Sequence, residues 1–154
     1  MRYKSAALFL LALTPAIWGA HALMADPDEA PATELSEKLR GFLKHEMHAL
    51  AEAGRAIEAA IEAGDHAAVQ QQAARMDKAF IFEREITTMD LRELELVLGE
   101  DFVLQDKEFH AMARTLEATA KAHDTVGERK VFGDMLKACV ACHQAYAPEA
   151  PVLD

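Results

Sequence analysis

The sequence predicts an all-α fold, an antiparallel four-helix bundle formed by one domain. Three observations predict it. Apolar residues recur at steps of three and four along most of the chain, no stretch alternates apolar and polar residues at period two over strand length, and the helix formers Ala, Leu, Glu, Lys and Gln dominate. The 154 residues, 51% hydrophobic and 27% charged, suffice for one core and are too few for two large ones. Four helices joined by mostly short connections in such a length form an up-down bundle.

Residues 1–22 read as a secretory signal peptide. Arg2 and Lys4 precede an uncharged, mostly apolar run over 5–18, and Ala20-His21-Ala22 supplies small residues at the spacing a signal peptidase accepts. Cleavage is expected after Ala22, with a periplasmic product. An uncleaved anchor is the alternative, although the run falls short of the roughly 20 residues that cross a bilayer. No cysteine follows the run to carry a lipid.

Residues 23–32 hold Pro27 and Pro31 and predict an extended lead-in. The bundle domain is expected over 33–147. Its first helix starts at Thr33, with Leu35, Leu39, Leu43, Met47, Leu50, Gly54, Ile57 and Ile61 on one stripe. Gly64 ends it and Asp65 can cap the second helix, which carries Val69, Ala73, Met76 and Phe80 and runs to about Arg84. Thr87-Thr88 makes a poor helix interior, so the connection to the second pair is predicted to hold a short helix capped by Asp90 and closed by Gly99. Asp101 starts the third long helix, with Phe102, Phe109, Met112, Ala113, Leu116 and Ala120 inward. Residues 124–127 break the chain. The last helix runs from about Glu128 to Tyr146, and Pro148 stops it ahead of a tail over 148–154.

Sixteen basic residues oppose 26 acidic ones, a formal charge of -10; loss of Arg2 and Lys4 with the leader leaves 14 against 26, or -12. A nucleic-acid backbone would be repelled over most of such a surface, whereas a partner protein with a basic docking face would be attracted.

The two cysteines stand in Cys139-Val-Ala-Cys142-His143, the Cys-x-x-Cys-His attachment signature of c-type haem. On a helix these three side chains share one face about a turn apart. Two thiols there can each bond a vinyl group along one porphyrin edge, while the imidazole turns beneath the ring to bind iron. Three other readings compete: a redox-active dithiol, which usually sits at a helix N-terminus in a strand-containing fold; a zinc site, which needs more ligands than His143 adds; and a structural disulfide.

The motif on the last helix of a predicted bundle resembles the class II c-type cytochromes, the cytochrome c-prime group and its low-spin relatives. The resemblance spans residues 33–146 and rests on Cys139 to Tyr146, and more loosely on Leu39-Arg40. Where the family often has Arg or Lys after the aromatic that follows the motif, Ala147 stands here. The resemblance implies one covalent haem c per chain, Cys139 and Cys142 as tethers, His143 as proximal iron ligand and Arg40 as a propionate contact. It is also compatible with a homodimer paired through the first two helices.

In an up-down bundle the end of the fourth helix is level with the start of the first. At about 1.5 Å per residue, the iron would lie level with residues 39–47. Met47 as distal ligand would give a six-coordinate, low-spin haem suited to electron transfer; core packing is its other role. Leu43 instead would leave iron five-coordinate and open to NO or CO. The expected function is therefore a one-electron carrier, not an enzyme, with a gas-binding cytochrome c-prime as alternative. His45 and His48 rank below Met47 as ligands and give thin support to a peroxidase. His110 is expected to be a hydrogen-bonded boundary residue, His66 and His123 to sit at helix ends, and the acidic clusters to be solvated. No isolated carboxylate pair, nucleophile triad or phosphate loop is evident.

Overall fold

The computed structural model describes residues 30–78 and 86–152. Among the described residues the chain is helical throughout, with no strand. A 3-10 turn, Pro31–Glu34, precedes α1 Glu37–Ala63, α2 His66–Lys78, α3 Thr88–Leu98, α4 Glu100–Lys121 and α5 Thr125–Tyr146. The expected signal peptide over 1–22, most of the expected lead-in and the expected end of the second helix at Phe80 to Arg84 lie outside the described residues.

The second helix starts as expected, Asp65 accepting from the Ala68 amide at 3.0 Å, whereas other starts differ at their caps. Pro31 opens a 3-10 turn instead of belonging to an extended segment, and α1 begins at Glu37, not Thr33. Ser36 caps it, its side chain accepting from the Leu39 amide. At α3 the cap is Thr87, one position before the Thr88 that opens the helix. Thr87 accepts from the Asp90 amide while the Asp90 carboxylate accepts from the Thr87 amide, a reciprocal capping box. Asp90 thus fills the third helical position of that box, not the cap. Gly99, at φ 86°, links α3 directly to α4, which starts at Glu100. The predicted break at 124–127 is only the cap and first turn of α5: Asp124 accepts from the Gly127 amide at 2.9 Å.

Gly64 and Asp65 fold α1 back on α2 as one helical hairpin, and the turn at 122–124 folds α4 back on α5 as a second. α2 packs against α4 between them, whereas α1 and α5 barely touch. Gly64 sits at φ 69°, ψ 23°, donating its amide to the carbonyls of Ala60 and Ile61. A side chain in this left-handed conformation costs about 1–2 kcal/mol. Gly64→Ala should lower unfolding stability by about that amount in urea titrations, with the helical content of the folded state unchanged.

The larger core cluster joins the four long helices through Ile57 and Ile61 of α1, Val69 and Met76 of α2, Leu116 of α4 and Met135 of α5. Each such side chain contributes about 1.5–3 kcal/mol by leaving water. A second cluster gathers Leu35, Leu39, Leu94, Leu98 and Phe102, with Cys142 and Tyr146 packed against it. It is fastened by Lys38 to Asp90 at 2.6 Å and by the Ser36 amide donating to Glu93 at 2.6 Å. The Lys38 ammonium, followed by the Thr87 hydrogen bonds, holds the Asp90 carboxyl down to about 2. At the far end, buried Glu128 meets His66 Nδ1 at 2.8 Å, and the His66 ring lies edge-on to His123, so the two hairpin turns are joined there.

Candidate functional site

Where α1 and α5 part, they leave with α4 a cavity of about 420 Å³. This falls within the 300–1,000 Å³ range of small-molecule and cofactor sites. Cys139, Cys142 and His143 line it from α5, Leu43, Met47 and Leu50 from α1, and Phe102, Phe109 and Met112 from α4. Gln105, Asp106 and Glu108 add polar groups, and Val152 reaches the cavity from the tail.

Both cysteines are free thiols and half-buried. Burial pushes Cys139 above its ordinary pKa; it pushes Cys142 up to about 11, assisted by the charges of Asp106 and Cys139. Both are neutral at pH 7. They stand four to seven residues from the end of α5, far from its N-terminus, so the helix dipole gives neither sulfur the low pKa of a reactive dithiol. His143 places Nδ1 3.1 Å from the Ala150 carbonyl. A carbonyl only accepts, so neutral His143 carries its proton on Nδ1 and its lone pair on Nε2, the arrangement common in metal-ligating histidines. The tail that supplies this carbonyl is folded by hydrogen bonds from the Ala147 amide to His143 O and from the Ala150 amide to Ala147 O.

The other sequence-predicted residues separate into two groups. Leu43 and Met47 reach the cavity, but Met47 is 37% exposed and does not share the fully buried seam assigned to it. The reason is periodicity. The seam of α1 follows a seven-residue recurrence, Leu39, Glu46, Ala53 and Ala60, and Met47 lies about 100° round the helix from Glu46. Arg40 is exposed and outside the cavity lining; its Nη1 donates to the carbonyls of Thr33 and Leu35 at 2.9 and 2.7 Å, closing the 3-10 turn onto α1. His45 and His48 are exposed and also outside the lining.

Sequence reading missed a buried polar group beside this cavity. Glu46 of α1 is 1% exposed and His110 of α4 is 3% exposed, so His110 is a core residue and not the expected boundary histidine. Asp106, one turn before His110, completes the group, and the expected absence of a carboxylate pair in apolar surroundings does not hold. His110 Nε2 lies 3.6 Å from Glu46 Oε1 and 3.7 Å from Asp106 Oδ1. Burial, then the charge of Glu46, raises Asp106 to about 7. Burial alone would lower His110, but the facing carboxylates outweigh it and its pKa rises. The signal in the sequence was Glu46 at seven residues from Leu39 and Ala53, a core register occupied by a carboxylate.

These shifts fix a pH dependence. The folded chain holds the Asp106 proton to about pH 7, the unfolded chain only to about 3.8, so the stability this proton confers is present in acid and lost as pH rises between those values. His110, raised as well, acts in the same direction. Three pKa units correspond to at most about 4 kcal/mol. In chelator-treated protein, unfolding stability should fall from pH 5 to 8, and Asp106→Asn should flatten much of that slope.

Comparison with protein-family models, curated proteins and solved structures finds no match to this chain.

Proposed function

We propose that the chain is an exported monohaem c-type cytochrome, an antiparallel four-helix bundle that carries single electrons in the periplasm. The observation that carries this reading is the gathering of Cys139, Cys142 and His143 on one apolar cavity whose other lining includes a methionine on α1. At about 24 cal/mol per Å³, an empty apolar void of this size would cost on the order of 10 kcal/mol, a ceiling because water can enter from an open side. Against about 5–15 kcal/mol of total stability, an apolar cleft of this size is better filled than left to water.

The residues present fit haem c. Bound among them, haem would supply a one-electron iron couple. Cys139 and Cys142, both free thiols, would hold the haem by one thioether each, an addition across a vinyl group that would release nothing and consume no oxidant. His143 offers the Nε2 lone pair, oriented by the Ala150 carbonyl. Met47 offers a thioether from α1 as distal ligand. Leu43, Leu50, Phe102, Phe109 and Met112 exclude water, which destabilises extra charge and raises the potential, while the acidic surface favours a basic docking face on the redox partner. Arg40, engaged with main-chain carbonyls, would have to leave them to meet a propionate.

One observation favours a second reading. Leu43 is the more buried of the two α1 residues, Met47 being 37% exposed, and a leucine over iron would leave a site for NO or CO. Absorption spectra of ferric and ferrous protein, with and without carbon monoxide, distinguish the two. Low-spin spectra indifferent to carbon monoxide are expected; a high-spin ferrous form that binds it readily would transfer the assignment to gas binding.

A further inference from the structure

We propose that Glu46, Asp106 and His110 form a binding site for one divalent transition-metal ion, with zinc as its simplest probe, buried between α1 and α4 beside the cavity. The proposal does not rest on the haem reading and stands whatever occupies that cavity.

The donor atoms of the three side chains all lie within 4.8 Å of one another. His110 Nε2 is 3.6 Å from Glu46 Oε1 and 3.7 Å from Asp106 Oδ1, longer than hydrogen bonds. Two ligand atoms about 2.0–2.2 Å from one tetrahedral ion stand roughly 3.4 Å apart, so these separations suit a shared cation after a small contraction. Asp106 and His110 sit four apart on α4, the spacing that turns two ligands to the same helix face, and Glu46 comes from the facing helix.

A second observation is the state of Glu46 itself. Its carboxylate is 1% exposed, and Oε1 is a buried acceptor with no hydrogen-bond partner among the described residues. A buried carboxylate is costly without a compensating charge, and here two carboxylates share one imidazole. A divalent ion would displace the Asp106 proton and leave His110 neutral, the two carboxylates would balance its charge, and Glu46 Oε1 would gain a closer contact than the 3.6 Å one to His110 Nε2. One imidazole and two carboxylates suit zinc, ferrous iron or manganese, and they leave a coordination position for water.

The test uses the full mature chain, stripped with chelator, dialysed and titrated with zinc by calorimetry, with bound metal counted by elemental mass spectrometry. One zinc per chain is expected. Glu46→Gln and Asp106→Asn should each weaken it about 100-fold or more, since even outer partners of metal ligands cost 10–100-fold. No binding by the wild-type chain, or equal binding by folded variants, would overturn the proposal. Should the variants fail to fold by circular dichroism, the zinc X-ray absorption spectrum of the wild-type complex decides. A shell with one imidazole and otherwise oxygen supports the site. Two or more imidazoles would assign the ion to other histidines such as His66 and His123, and sulfur would assign it to Cys139 and Cys142; either result refutes the proposal.

Discussion

Replacing Cys139 and Cys142 together by alanine is expected to abolish covalent haem retention. Chains from a host competent in c-type maturation should lose all colour on acid-acetone extraction, whereas the wild type keeps its colour. Each single variant should keep one tether and an altered spectrum. The effect reaches beyond the cofactor. The cavity of about 420 Å³ lies where α1 and α5 part and no side chain of the described residues fills it; an enclosed void of that size would correspond to up to about 10 kcal/mol. The double variant should therefore unfold more easily, in a broader transition, with helical circular dichroism largely retained and dye binding increased. A double variant that stays as stable as the wild type would mean that α1 and α5 close the gap without an occupant.

The second large effect is expected at Met47. Met47→Ala should convert a low-spin haem to a high-spin form that binds carbon monoxide and should lower the reduction potential, because loss of thioether ligation favours ferric iron. Met47 is 37% exposed, so removing its side chain should cost only about 1 kcal/mol of stability, well below the 2–5 kcal/mol of a fully buried Met→Ala. The spectrum and the fold thus respond separately. Leu43→Ala is the control: it should leave the low-spin spectrum in place if Met47 is the ligand. Were Met47→Ala spectrally silent, the distal ligand would have to be sought elsewhere.

Most helices were legible because their signals are local. Gly64 and Gly99 stop α1 and α3 through backbone conformations that glycine adopts freely, and Pro148 follows α5. The start of α3 was misread because Thr87-Thr88 was weighed as helix interior. The Thr87-x-x-Asp90 spacing of a capping box was present in the same four residues. The cavity itself could be read only in part. The spacing of Cys139, Cys142 and His143 put them on one helix face, and bundle geometry anticipated that Leu43 and Met47 would line the same cavity. Glu46 and His110 were missed for a different reason: polarity argued for solvent, and only the seven-residue recurrence through Leu39, Glu46 and Ala53 argued for burial. Likewise the carbonyl that orients His143 belongs to Ala150, whose approach depends on how the tail folds after Tyr146. No side-chain pattern encodes that approach.

The most direct measurement is the intact mass, under denaturing conditions, of protein made in a host with c-type maturation machinery. The expected value is that of residues 23–154 plus one haem, with neither Cys139 nor Cys142 open to alkylation. The bare polypeptide mass with both sulfurs alkylated would contradict the account at its centre.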